Sequence, residues 1–434
     1  MTVLTKQKRI AELAKRSPKV CFTALNHYLD AEWLQEAYRM LRKDSAPGID
    51  GQTVVEYGEG LNANLQSLLD RAKSGNYFAP PVKRVYIPKD ISGKETRPIG
   101  IPATEDKLLQ RAVAMILEPI YEQDFLDCSY GYRPGRSAHD ALDVLWRQCM
   151  GLKVQYILEL DIRKFFDMLD RAHLREFLQY RVRDGVITRL IGKWLNAGVM
   201  EQGALHLPKH GTPQGGSISP MLSNIYLHHV LDQWFEDEVK PRMKGRAFMV
   251  RFADDAVLGF TSKEDAEKVL AVLPKRFARF GLSLHTEKTR LMPFGRPGKD
   301  DRKGPATFDF LGFTHYWGKS RKETWVIKRK TSRERLNRSL KRIAKWCRLN
   351  RHKPVELQHK KLCQKLKGHF AYFGITGNGW WIKRYREGTL KLWRKWLHRR
   401  GGKNPMSWEK FQKLKQHYPF PPARVVHSIY AAKP

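Results

Sequence analysis

The stretch Met249-Val250-Arg251-Phe252-Ala253-Asp254-Asp255-Ala256-Val257-Leu258-Gly259-Phe260 constrains this chain more tightly than any other. Two apolar, β-prone runs flank Ala-Asp-Asp, which predicts a tight hairpin carrying two adjacent carboxylates at its tip. Neighbouring acids between buried strands raise each other's pKa and oppose folding unless something cationic neutralises them. A divalent metal does that, and hard oxygen ligands suit Mg²⁺. A lone Asp-Asp is more simply an acidic turn facing water. What shifts the weight is a second acidic strand end upstream. Val154-Gln155-Tyr156-Ile157-Leu158-Glu159-Leu160-Asp161-Ile162 reads as the clearest strand in the chain, and Asp161 stands at its C-terminal end.

The 434 residues are too many for one core, so two or three domains are expected. The formal charge of +36 is unevenly spread: Arg321 to Pro434 hold 32 Lys and Arg against 5 Glu and no Asp. Such a field attracts nucleic acid, anionic membrane or acidic protein. Membrane fits worst, because no run of 18 apolar residues occurs and Met1 to Leu13 lacks the apolar core of a secretory signal. Seven of the twelve Trp lie in the basic quarter (Trp325, Trp346, Trp380, Trp381, Trp393, Trp396, Trp408). Rings interleaved with cations suit phosphate contact and base stacking. They equally suit a helical core with a solvated basic face. The five cysteines are scattered without a Cys-x-x-Cys pair, which argues against structural zinc and a disulfide scaffold and fits a reducing cytoplasm.

Taken in order, the pattern predicts an amphipathic helix over 31–41, a turn at Pro47 to Gly51, and a helix over 61–73 ended by Gly75-Asn76. Pro81 to Lys89 and Arg97 to Pro102 form strands of a hairpin exposing Lys89, Lys94 and Arg97. Thr104 is expected to cap a long apolar helix reaching Tyr121, with Glu105 and Asp106 in its first turn as the dipole favours. Ser137, with Asp140 three residues on, predicts a capping box. Asp167 and Asp170 read as helix-start or surface charges. His210 to Ser217 is a glycine-rich loop opening an apolar helix over 218–231. A helix over 263–280, a turn and strand over 281–289, a loop over 294–305 and a strand at 310–313 follow. Three helices over 331–350, 354–373 and 380–398 make a basic bundle, followed by a Pro-rich tail after Lys403.

The strand-ending Asp161, Gly-Thr-Pro-Gln-Gly-Gly at 211–216, Phe-Ala-Asp-Asp at 252–255 and Phe-Leu-Gly-Phe at 310–313 together resemble the palm of a reverse transcriptase. Arg-Pro-Ile-Gly-Ile-Pro at 97–102, Ser-Tyr-Gly-Tyr-Arg-Pro-Gly-Arg-Ser-Ala-His-Asp-Ala-Leu at 129–142 and Gly-Thr-Pro-Gln-Gly-Gly-Ser-Ile-Ser-Pro at 211–220 are similar to the bacterial group II intron-encoded reverse transcriptases. Tyr372-Phe373-Gly374 with Gly377-Asn378 resembles their maturase thumb. The resemblance implies an α+β right hand with an all-helical basic thumb. Residues 1–150 would be an N-terminal extension and fingers, and 151–320 the palm, with part of the fingers interleaved around 170–215. The thumb would be 321–400, and 401–434 a basic tail.

It further implies that Asp161, Asp254 and Asp255 meet on two Mg²⁺ ions, with the carbonyl of Ile162 as a backbone ligand. Lys89 and Arg97 would grip the incoming triphosphate. Phe166 would lie under the sugar, Gln214 would prop the nucleotide, and Lys288 would neutralise the departing pyrophosphate. Leu311 and Gly312 would support the primer. Phe252 stands where the family often has Tyr, a mild departure. No paired cysteines and histidines of an endonuclease domain follow the thumb, so second-strand cleavage is not expected. The implied partners are group II intron RNA, an RNA template with a DNA or RNA primer, dNTPs and target DNA. A domesticated relative in defence or repair, or a splicing cofactor with an inactive palm, remains open at this point. On this reading, replacing several Lys and Arg between Lys328 and Arg348 by Ala should weaken RNA binding and flatten its salt dependence. Filter binding over a KCl series measures both, and an unchanged slope removes that surface from the RNA interface.

Overall fold

The computed structural model describes residues 2–88, 96–201, 203–207, 211, 215–298, 305–400 and 406–428. Lys89, Lys94 and Gln214 lie outside the described residues. The chain divides into two compact units, Met1–Ile87 with Thr96–Ala141 and Tyr156–Met292, and Pro88–Glu95 with Leu142–Gln155 and Pro293–Pro434.

The first unit is an α+β assembly. It opens with α1 (Val3–Arg16), α2 (Ala31–Met40), α3 (Val54–Tyr57), α4 (Leu61–Ser74), β1 (Val82–Pro88), β2 (Thr96–Ile101), α5 (Thr104–Tyr121) and the first turn of α6 (Ala138–Gly151), whose residues from Leu142 on belong to the second unit. It continues through β3 (Tyr156–Asp161), α7 (Phe165–Met168), α8 (Arg171–Gln179), α9 (Gly185–Asn196), β4 (Val199–Glu201) and β5 (Ala204–His206). Then come α10 (Ser219–Leu227), β6 (Ala247–Phe252), β7 (Asp255–Phe260), α11 (Lys263–Arg279) and β8 (Arg290–Pro293). One four-stranded sheet has the order β2-β1-β4-β5, and the other the order β6-β7-β3-β8.

α5 is buried nearly all round, its polar residues Asp106, Lys107 and Gln110 included. α1 and α2 pack on it, and the Trp33 indole donates to the Ala112 carbonyl at 2.9 Å. Local signals set several boundaries as expected. Gly75 closes α4 in the left-handed region at φ 92°, and Ser137 and Asp140 bond reciprocally at the start of α6. The Asp170 carboxylate caps α8 through the amides of Ala172 and His173.

Other expectations are corrected. Thr104 is the first helical residue rather than the cap, which is Ala103, and its hydroxyl donates to the Gln52 carbonyl at 2.7 Å. Asp106 stands in the first turn as expected, and only its surroundings were not legible. It is buried, receives hydrogen bonds from Tyr77 and Trp194, and desolvation raises its pKa to about 7. The apolar helix expected to end at Leu231 continues as two π-helical segments, His228–Asp232 and Trp234–Val239. Wider turns keep Val230, Leu231, Trp234 and Phe235 in the core, so apolar residues outside the ordinary helical period still find it.

The second unit holds a three-stranded sheet of β9 (Phe308–Phe310), β10 (Phe313–Lys319) and β11 (Trp325–Thr331), in the order β11-β10-β9. Phe310-Leu311-Gly312-Phe313 is therefore not a strand but a two-residue turn, with Phe310 and Phe313 paired across it. Leu311 and Gly312 have φ of 51° and 81°, the positive pair that matches strand twist in such hairpins. The helices are α12 (Arg333–Leu349), α13 (Val355–Phe373), α14 (Gly379–His398) and α15 (Trp408–His417). α15 is a helix inside the stretch expected only as a Pro-rich tail. Its Phe411, with Phe420 beyond it, joins the core of the bundle beside Trp393.

Asp106 gives a testable pH dependence. Its pKa is near 3.9 in an unfolded chain and about 7 when folded. The folded state then binds the extra proton, so stability should fall as pH rises from about 4 to about 7. Asp106→Asn should flatten that part of the profile in urea melts, and an unaltered slope would show that the carboxyl is not held protonated.

Candidate active site

β3 and β7 pair antiparallel from Tyr156↔Phe260 to Asp161↔Asp255, so two acids from distant parts of the chain face each other across one sheet end. Asp254 sits in the two-residue turn between Phe252 and Asp255, the last pair of β6 and β7. Desolvation raises the pKa of Asp254, and the charge of Asp161 adds to it. Arg97 and Arg251 oppose the rise, which places Arg97 of β2 in the field of this carboxylate. The Lys288 ammonium stands 3.5 Å from an Asp161 carboxylate oxygen. Strand alternation orients the backbone: the Asp161 carbonyl accepts from His285 N, and Arg163 N donates to Ser283 O. The Ile162 carbonyl therefore points the other way, toward the β7 side.

Among the described residues, no three His, Cys, Asp or Glu side chains close on one point tightly enough to hold a metal ion. The donor set itself, all oxygen and anionic, is the chemistry a hard divalent cation requires.

No local pattern marks the frame that aims the hairpin. Arg251 is fully buried, and its guanidinium makes a two-pronged contact with Asp232 at 2.7 and 2.5 Å. The same group donates to the Asn224 side-chain oxygen at 3.1 Å and to the Ala253 carbonyl at 2.9 Å. The Asn224 amide in turn donates to the Gly131 carbonyl at 2.7 Å. A Cβ on Gly131 would lie 2.3 Å from Ala253 N, so only glycine lets this backbone approach the turn. Ala253 is held at φ 57°, a strained conformation for a residue with a side chain. Charge, amide and close approach thus fix the peptide on which Asp254 is mounted.

Tyr132 is a second group that motif reading passed over. It has φ 58° and is 58% exposed. Desolvation of its hydroxyl and the charges of Asp254 and Asp255 raise its pKa, while Arg97 lowers it. Its phenol therefore shares the field of both acids.

The two adjacent phenylalanines separate as expected of a pair with one core member. Phe165 is buried and Phe166 half-buried, their rings edge to face at 5.3 Å. Gly211 is fixed close to them: its amide donates to Leu169 O, and a Cβ there would lie 2.6 Å from the Phe166 carbonyl. At the loop's far side, a Cβ on Gly215 would lie 2.3 Å from the Gly100 carbonyl of β2. Leu311 and Gly312 belong to the second unit, where the Tyr372 hydroxyl donates to the Leu311 carbonyl at 2.9 Å and Ser332 N to Gly312 O at 3.0 Å. Asn378 is buried there, bonded through its side chain to Thr331 and Phe373, and so holds β11 to the end of α13.

Residues 87–315 match the family described as reverse transcriptase (RNA-dependent DNA polymerase). The chain belongs to the reverse transcriptase family. Among its relatives, Protein YkfC of Escherichia coli (strain K12) is 36% identical over 244 residues, 55% of this chain and 63% of that protein. Group II intron-encoded protein LtrA of Lactococcus lactis subsp. cremoris is 38% identical over 227 residues, 51% of this chain and 37% of that protein. Nuclear intron maturase 2, mitochondrial, of Arabidopsis thaliana is 29% identical over 230 residues, 42% of this chain and 31% of that protein. The chain therefore spans less than two thirds of the length of these relatives. The family generally uses divalent metal ions. No described helix is long and apolar enough to cross a membrane.

The buried pair gives a stability test. Arg251→Met leaves Asp232 buried and uncompensated, and should cost about 3–5 kcal/mol. Adding Asp232→Leu should return much of that loss, because two apolar groups leave no stranded charge. Urea denaturation of the two variants measures this. Equal stability of single and double variants would show that the pair does not hold the frame.

Proposed function

We propose that this protein is an RNA-directed DNA polymerase that also binds a group II intron RNA and assists its splicing. One observation carries the polymerase reading: Asp161 and Asp255 are register partners across β3 and β7, with the desolvated Asp254 beside them. Acids gathered at one sheet end repel one another, which is unfavourable for folding alone and useful for holding cations. Asp161 and Asp254 would be the principal ligands of two Mg²⁺ ions, assisted by Asp255 and the Ile162 carbonyl. Such ions, when bound, lower the pKa of a primer 3′-hydroxyl and stabilise the attacking and leaving oxygens of an in-line displacement.

The chain's own groups then have separable tasks. Arg97, already in the field of Asp254, together with Lys89 would bind the triphosphate. Phe166, half-buried beside the core residue Phe165, would present its ring edge to the sugar and exclude a 2′-hydroxyl. Gln214 would prop the nucleotide, and Lys288, now beside Asp161, would turn to the departing pyrophosphate. In the second unit, the Leu311-Gly312 turn would support the primer, held in shape by Tyr372 and Ser332. Fingers, palm and thumb are assigned to the residue blocks set out from the sequence. The intron-binding role rests on the basic second unit and on relatives named for introns.

Asp254→Ala should abolish divalent-metal-dependent extension of a primer on an RNA template while leaving RNA affinity within about twofold. Undiminished extension would remove the active-site assignment. Phe166→Val should admit ribonucleotides, read as a fall in the ratio of kcat/KM for dNTP over NTP. An unchanged ratio returns that ring to a packing role.

A further inference from the structure

α14 divides cleanly into two faces. Ile382, Tyr385, Thr389, Leu390, Trp393 and Leu397 are buried in the bundle. The opposite face carries Trp380, Lys383, Arg384, Glu387, Gly388 and Lys391, at spacings that place them side by side along the helix. With Leu340 of α12 they line a groove of about 450 Å³, within the range that holds small planar ligands. Gly388 lies where the helices meet most closely: a Cβ there would lie 2.8 Å from a Leu340 methyl.

Trp380 is 59% exposed at the mouth of this groove, unusual for so large a ring. Its neighbours form an alternating series of rings and cations. The Arg384 guanidinium lies 5.2 Å from the Trp380 ring and 5.7 Å from Trp381. Lys330 of β11 lies 5.9 Å from Trp381 and 4.9 Å from Tyr316. A ring flanked by cations is a stacking platform with phosphate neutralisation built in. Glu387 is the single acid of the groove and makes no ion pair with any described residue. A carboxylate only accepts hydrogen bonds, so next to a phosphate chain it suits a hydroxyl or amine donor. A ribose 2′-hydroxyl is such a donor and deoxyribose has none.

We propose that this groove binds one unpaired nucleotide of single-stranded RNA, its base stacked on Trp380, its phosphates against Lys383, Arg384 and Lys391, and its 2′-hydroxyl at Glu387. The inference rests on the RNA-binding reading above and adds a specific subsite to it. Stacking releases no counterions whereas phosphate contact does, so the two parts of the site separate by salt dependence.

The test is fluorescence anisotropy of a 12-nucleotide RNA over a KCl series, using the full-length protein. Trp380→Ala should weaken binding roughly tenfold with an unchanged salt slope, and Trp380→Phe should regain most of the loss. Lys383→Ala with Lys391→Ala should reduce the slope instead. An RNA with abasic residues should bind wild type and Trp380→Ala alike, and the deoxy oligonucleotide should bind wild type more weakly than RNA. Unchanged affinity in Trp380→Ala, or an equal loss toward abasic RNA, overturns the stacking site. Equal affinity for RNA and DNA overturns the assignment to RNA, and an acidic peptide competing at the groove points to a protein partner instead. Primer extension by wild type, assayed in parallel, keeps a failure of this subsite distinct from a failure of the polymerase reading.

Discussion

Repulsion between acids at the end of the β3–β7 ladder is the constraint around which the first unit is built. Asp161 and Asp255 are locked opposite each other by six consecutive register pairs, and sliding the strands by one residue would exchange the faces of strands that are buried on both. The turn carrying Asp254 cannot relax away either. Arg251 is tied to Asp232, Asn224 and the Ala253 carbonyl, and Gly131 packs directly on the turn backbone. Such a frame is costly to assemble, since a buried ion pair contributes little net stability against an apolar pair. Its return is orientation: the turn that carries Asp254 is held in one place.

Much of this was legible in the sequence because it is local. The hairpin, the strand ending in Asp161, the capping box at Ser137 and the glycine stop at Gly75 all follow from neighbours within a few residues. Reading failed where partners come from far along the chain. Thr104 has the chemistry of a cap, yet the helix starts on it, and its hydroxyl donates to the distant Gln52 carbonyl. Asp106 has the position of a dipole-favoured acid, yet Tyr77 and Trp194 draw it inside. Arg251 looks like one more basic residue until Asp232 is placed beside it. Tyr132 lies within a quoted motif, but only its placement in the field of Asp254 and Asp255 marks it out.

The second unit shows why composition alone left its tryptophans undecided. Trp393 is fully buried and bonded to Gln358, Trp325 and Trp317 are buried in the sheet, and Trp380 and Trp408 are exposed. Both uses of the ring, as core and as surface, occur within α14 itself. The tail after Lys403, which reads as Pro-rich, supplies Phe411 and Phe420 to the same core. Basic charge is therefore spread over a bundle that is conventionally apolar inside.

The most direct measurement is Mn²⁺ binding followed by electron paramagnetic resonance, with an RNA template and DNA primer present. If the three acids serve as cation ligands, wild type should quench the free Mn²⁺ signal and Asp161→Asn with Asp254→Asn should bind at least tenfold more weakly. Affinity equal to wild type in that double variant would contradict the account.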